Sequence, residues 1–221
     1  NRDGEMEFAY TTSWGVSTRL IGAIIMTHAD NDGLVLPPRI APVKAVIIPI
    51  STSDEKIDKE LMPKAAELKA ALNEALGGRF VNVDTQFHMR PGDRFFSHLQ
   101  KGVPLRLELG EKEYAAEKLR VVRRDTGEKI DITWADAPTA IPALLDEIQR
   151  NLYNRALEFR LANTHRAENM EEFKRLLEEK GGFIEVFFGG SKADEKAIKE
   201  ATGATPRCFP FVHAEERGKC F

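Results

Sequence analysis

Apolar and polar residues change period several times along the chain, and each change marks a predicted element. Asp3-Gly4 is a turn signal, after which Phe8 and Tyr10 alternate with Glu7 and Ala9. This alternation predicts one arm of a β-hairpin already in progress. From Leu20 to Thr27 nearly every residue is apolar, with Gly22 and Ala23 allowing close approach, so a buried helix is expected there. "HADNDG" ends it in turn residues, and "LVLPPRIAP" runs extended because its prolines oppose helix.

Beyond the prolines, "KAVIIPI" is a β-branched run suited to a buried strand. Leu61, Ala65, Leu68, Leu72 and Leu76 recur at helical spacing, with Pro63 near the start and Gly77-Gly78 at the stop. "RFVNVDT" alternates as a strand, and "RPGDRFFSHLQKG" suits a helix that opens on Pro91 and closes at Gly102. "VPLRLELG", "KLRVVRRD" and "EKIDITW" are three further strands, with turns at Gly110 and Thr126-Gly127. Strand, helix, strand, helix, strand and then a hairpin describes an α/β domain with a mixed sheet over 44–136. A long helix is predicted from Pro142 to Asn163, then a helix in "NMEEFKRLLEEKGG", a strand in "FIEVFFGG", a helix in "SKADEKAIKEATG" and a strand in "PRCFPFVH". The expected fold class is α/β throughout, divided as 1–42, 43–136 and a small α/β unit at 137–221.

Composition narrows the classes. The 221 residues suit one large or two small domains, and 42% apolar with 30% charged residues is ordinary for a globular protein. The net charge of −3 gives no global basic signature, so a nucleic-acid surface must be a local patch. Two cysteines, Cys208 and Cys220, make no disulfide scaffold and suit a reducing compartment, hence a cytoplasmic location. The longest apolar run, Leu20–Met26, falls far short of the roughly 20 residues a membrane helix needs. No charged-then-apolar leader opens the chain; with no initiator methionine, it is expected to begin inside a larger fold.

"SWGVSTR" is the first candidate for chemistry. Gly15 permits close backbone approach, Ser17 offers a hydroxyl, and Arg19 offers a planar fork matched to phosphate oxygens. On the residues alone, a strand-to-helix turn with Arg19 in an ion pair explains the stretch equally well. His28, at the helix end without paired partners, is read as structural.

"TTSWGVSTRLIGAIIMTHADNDGLVLPPRIAP" resembles motif 3 of the class II aminoacyl-tRNA synthetases, specifically the prolyl-tRNA synthetases, and "GVPLRLELG" resembles that family's anticodon-binding domain. The resemblance runs through the whole chain; the region beyond Pro142 looks like the extra C-terminal domain of the archaeal- and eukaryote-like branch. It implies a part of an enzyme that condenses proline with ATP to prolyl-adenylate and transfers proline to tRNA(Pro). Motifs 1 and 2 are absent from this sequence, so the chain alone is expected to be inactive. The resemblance further implies ATP with Mg²⁺ and L-proline as substrates and a homodimeric full-length enzyme. Arg19 matches the ATP-phosphate arginine and Ser17 a hydroxyl beside the nucleotide. Ser13, Trp14 and Gly15 match the wall of the proline pocket. Arg106, Lys112 and Glu113 match positions that read anticodon bases, and Arg90 and Arg94 are expected to contact tRNA. Leu99 stands where the family often has a base-reading glutamate. Arg120, Arg123 and Arg124 suit either phosphate contact or solvent. A stand-alone anticodon-binding module without aminoacylation is the alternative.

Related proteins often hold zinc through four cysteines in the last domain. Here Gly189 and Asp194 take the place of the first pair, leaving Cys208 and Cys220, with Asp194 and His213 as further candidate ligands. Two thiolates do not close a tetrahedral site, so zinc is not expected.

Overall fold

The computed structural model describes residues 3–6, 8–211 and 216–221. Its contacts divide the chain into two compact units, 1–153 and 154–221.

The first unit is built on a five-stranded sheet in the order β2-β1-β3-β4-β5. Strand β1 (Ala45–Ile50) pairs in parallel with β2 (Val81–Val83) and β3 (Leu105–Gly110). Strands β4 (Lys118–Arg123) and β5 (Lys129–Thr133) continue antiparallel, so the sheet is mixed as expected. Every residue of Ala45–Pro49 is buried, which is why this run is apolar throughout, with Val46, Ile47 and Ile48 at its centre, rather than alternating. In β3 the pattern does alternate: Leu105, Leu107 and Leu109 enter the core while Arg106 and Glu108 face away.

The core beneath those leucines is closed by two helical stretches. The first runs from α2 (Asp54–Lys56) through one π-helical segment, Ile57–Leu61, into α3 (Met62–Ala75). It delivers Ile57, Leu61, Ala65, Leu68 and Leu72. The second is α6 (Ala137–Ala162), whose Ile141, Leu144, Leu145, Ile148 and Leu152 join the same cluster. Helix α6 therefore starts five residues before the expected Pro142, and its first part belongs to the first core rather than to the terminal unit. Asp136 explains the earlier start, because its carbonyl accepts from Thr139 and Ala140 N–H at 3.0 and 2.9 Å.

Helix α4 (Pro91–Gln100) precedes β3, and α5 (Glu111–Ala115) follows it. The chain reaches this domain through α1 (Arg19–His28) and the extended 34–36 segment, where Leu34 and Leu36 N–H donate to Gln100 and Gly102 carbonyls at 3.0 and 3.3 Å. The approach is close: Gly102 has φ +72°, and a Cβ there would lie 2.7 Å from the Leu34 Cβ.

Two expectations fail near the start. Among the described residues of 3–17 there is no strand, because Phe8 and Tyr10 have no second strand to pair with and an unpaired arm is not stable. Helix α1 forms where predicted but is not buried: Leu20, Ile21 and Met26 are 55, 60 and 84% exposed. An all-round apolar helix needs a surrounding surface, and the described residues of 1–153 cover α1 only in part, leaving Gly22, Ala23 and Ile24 half-buried.

In the second unit, β6 (Thr164–Arg166) pairs in parallel with β7 (Phe183–Glu185). Helix α7 (Met170–Glu179) connects them and α8 (Lys192–Thr202) follows. Ala167, Phe173 and Leu176 form the core, with Ile184, Val186 and Phe221 against it. The predicted strand at "PRCFPFVH" is absent over residues 206–211, and its last two residues lie outside the described ones.

Candidate nucleic-acid interface

Strand register builds the main candidate site. Arg106 on β3 faces Val122 on β4, which in turn faces Lys129 on β5, giving one row across three strands. Two residues further along β3, Glu108, Arg120 and Asp131 make a second row on that face. These are the side chains that alternate away from the buried leucines, so the polar face follows directly from the period of two.

The first row opens into a crevice of about 430 Å³ between the end of α4, the β4–β5 turn and the 30–33 turn that follows α1. Leu99, Val103 and Val122 give it apolar surface, and Arg106 and Lys129 give it positive charge. Arg106 lies over the Phe95 ring with its guanidinium carbon 4.4 Å from the centroid. Glu108 Oε1 accepts from Arg106 Nε and Nη2 at 3.0 and 2.9 Å, leaving the Nη1 end open. A planar cation clamped between an aromatic ring and a carboxylate is pre-oriented for an in-plane acceptor pair.

The neighbouring charges are structural. Arg124 Nη1 and Nη2 donate to Asp30 Oδ2 and Oδ1 at 2.7 and 2.6 Å, and its Nε donates to the Leu99 carbonyl at 3.1 Å. The guanidinium holds the Asp30 carboxyl at about 2. Arg123 pairs with Asp125 at 2.9 Å and Glu147 at 3.3 Å. Burial pushes the Asp125 carboxyl up, but donation from Arg123 and Asn151 outweighs it and the pKa ends below the usual range. Arg120 is paired with Asp131 at 3.0 Å and lies 4.0 Å from Glu113. All three arginines weighed for phosphate contact are therefore held by carboxylates of this chain.

Arg94 needs correction. It is 3% exposed, whereas a tRNA contact requires an accessible guanidinium. Its Nε donates to Asp84 Oδ1 at 2.9 Å, Nη1 to the Pro49 carbonyl at 3.0 Å and Nη2 to the Asp84 carbonyl at 3.2 Å. His98 Nε2 lies 2.6 Å from the other Asp84 oxygen. Burial pushes the Asp84 carboxyl up, yet the Gln86 N–H, His98 and Arg94 together hold it below its ordinary value. Arg90, by contrast, is exposed at the N-cap of α4.

Arg106 is also separated from its expected companions. Lys112 and Glu113 sit on α5, past the carboxyl end of β3, where Lys112 is exposed. Glu111 there accepts from Ser51 at 2.6 Å and pairs with Lys56, which lowers its carboxyl. The site instead adds Phe95, whose ring lies against Arg106, and Lys129 and Asp32 in the crevice lining, none of which was singled out in the sequence. Cross-strand register places Lys129, and the packing of α4 and of the turn after α1 places the other two; a single-chain period contains neither.

Ser13, Trp14, Gly15, Ser17 and Arg19 are exposed, Trp14 at 94%. Arg19 is the first residue of α1, and its N–H points to Ser17 Oγ at 3.4 Å. In the second unit Cys208 and Cys220 are exposed thiols, and Gly189 N–H donates to Cys220 Sγ at 3.4 Å. The Asp194 carboxylate closes a capping box with Ser191. Among the described residues no group of three His, Cys, Asp or Glu could hold a metal ion, and His213 lies outside them. No helix of the described residues is long and apolar enough to cross a membrane.

The family described as "Anticodon binding domain" matches residues 44–144, the mixed sheet with all of the crevice lining but Asp30 and Asp32. "Prolyl-tRNA synthetase, C-terminal" matches residues 170–221. The first unit thus carries an anticodon-binding α/β domain of the synthetase class. A proline--tRNA ligase of Oceanobacillus iheyensis is 43% identical over 220 residues, covering 100% of this chain and 44% of its own length. Proline--tRNA ligase 2 of Bacillus cereus (strain ATCC 14579) and the proline--tRNA ligase of Lachnoclostridium phytofermentans are each 41% identical over the same shares. The chain belongs to the prolyl-tRNA synthetase family and spans less than half the length of these relatives.

Proposed function

We propose that this chain is the anticodon-recognising region of a proline--tRNA ligase, and that the Arg106 crevice seats a base of the tRNA(Pro) anticodon. The carrying observation is Arg106 itself, stacked at 4.4 Å on Phe95 with one edge of its fork open, inside the segment that matches the anticodon-binding family. Anticodon bases are single-stranded, so a base can be splayed onto such a surface and read at its edges. The exposed Arg90 and Lys112 supply cationic contacts along the backbone path, and Glu113 an acceptor beside Arg120.

In the complete enzyme, Arg19 and Ser17 face the phosphates of ATP, brought in with Mg²⁺, and Ser13, Trp14 and Gly15 wall the site of L-proline. Their exposure here is consistent with a pocket whose other walls come from further chain. The enzyme works as a cytoplasmic homodimer, and this chain alone does not form prolyl-adenylate. The test is titration of the chain with the anticodon stem-loop of a proline-accepting tRNA. Arg106→Ala should weaken binding by about 1–3 kcal/mol. Equal affinity of the variant and the parent chain would overturn this assignment.

A further inference from the structure

We propose that Asp32 is a specificity-determining acceptor for the amino edge of a guanine seated in the crevice; this rests on the reading of that crevice as a base-binding site. The walls differ in charge. Arg106 and Lys129 belong to the sheet, whereas Asp32 lines the crevice from the turn after α1. Among the described residues no hydrogen bond or ion pair engages the Asp32 carboxylate, while the crevice's other carboxylates, Asp30 and Asp125, are both taken by arginines.

The turn that carries Asp32 is held firmly. Asp30 Oδ1 accepts from the N–H groups of Asp32 and Gly33 at 3.0 and 3.1 Å, and both Asp30 oxygens are gripped by Arg124. Gly33, at φ +141°, lies so near α4 that a Cβ would fall 2.6 Å from the Gln100 Cα. The Asp32 backbone is thus tied, through Asp30 and Arg124, to the strand opposite it.

A free carboxylate repels phosphate, so this side of the crevice suits a base edge. Guanine offers acceptors at O6 and N7 to the open end of the Arg106 fork, and donors at N1 and N2 to a carboxylate. Leu99, Val103 and Val122 provide apolar surface for the ring between them. Charges of opposite sign across an apolar gap match guanine's split edge and penalise bases that lack one half of it.

The test uses the 221-residue chain and an anticodon stem-loop RNA in which each loop guanine is replaced in turn by inosine, which lacks only the N2 amino group. At one position the parent chain should lose affinity about tenfold, the scale of one good base contact. Asp32→Asn should shrink that loss to about twofold, and Asp32→Glu should restore most of it. If Asp32→Asn discriminates against inosine as strongly as the parent chain, the assignment of Asp32 falls and the crevice reading stands. If the parent chain binds no hairpin at all, the crevice reading falls and takes this proposal with it.

Discussion

Replacing Asp84 with alanine should destabilise the first unit by about 3 kcal/mol, the low end of the range for breaking a buried ion pair. Side-chain exposure is 3% for Arg94 and 1% for Asp84, so water cannot easily take the lost carboxylate's place. The low end applies because Arg94 keeps two backbone acceptors, the carbonyls of Pro49 and residue 84, at 3.0 and 3.2 Å. What disappears is the 2.9 Å bond to Arg94 Nε, the 2.6 Å contact to His98 and the 2.8 Å bond from Gln86 N–H. Urea unfolding followed by tryptophan fluorescence is the assay. With a slope of about 2 kcal/mol/M, the midpoint should fall by roughly 1.5 M. Asp84→Leu combined with Arg94→Met should lose less than Asp84→Ala alone, because no charge is then stranded. A fall of under about 0.3 M for Asp84→Ala would mean that the guanidinium finds solvent, and the argument from burial would be wrong.

Other outcomes follow from single features. Gly102→Ala should cost more than about 1 kcal/mol in the same assay, because the site has φ +72° and a Cβ would meet Leu34 at 2.7 Å. Asp30 has a depressed folded-state pKa, so its contribution is complete above its ordinary value of 3.8 and is lost as pH falls through about 2. Asp30→Asn should therefore flatten the acid limb of the stability curve in that window. Leu20→Ser with Met26→Ser should change the chain's stability by less than about 0.5 kcal/mol, since both sides are exposed. In the complete enzyme the same pair should reduce proline-dependent pyrophosphate exchange.

Local signals were enough to place β1, α3, β2, α4, β3, β4 and β5: an unbroken apolar run for β1, the Pro91 and Gly102 bounds for α4, and a period of two or 3.6 for others such as α3 and β3. It failed where stability comes from a partner. Phe8 and Tyr10 alternate like a strand yet have none to join, and α1 is as apolar as a core helix yet lies exposed. Asp136 followed by Pro138 is a readable helix start, but Pro142 draws the predicted boundary instead. Site residues divide in the same way. Resemblance points to Arg106, whose side chain lines the crevice, but not to the burial of Arg94, because one arginine looks like another until its surroundings and Asp84 are known. Phe95, Lys129 and Asp32 come from α4, β5 and a linker turn, and only folding makes them neighbours.

The widened segment ahead of α3 has an evolutionary side. Met62 N–H reaches back to the Ile57 carbonyl, five residues away, and the next residue, Pro63, has no N–H to give. One residue more than an ordinary turn is stored there, between the buried Ile57 and Leu61. Removal of a single exposed residue from Asp58–Glu60 could therefore be absorbed by tightening the coil. Ala65, Leu68 and Leu72 would keep their aim, so a relative shortened here would need no repacking of the interior.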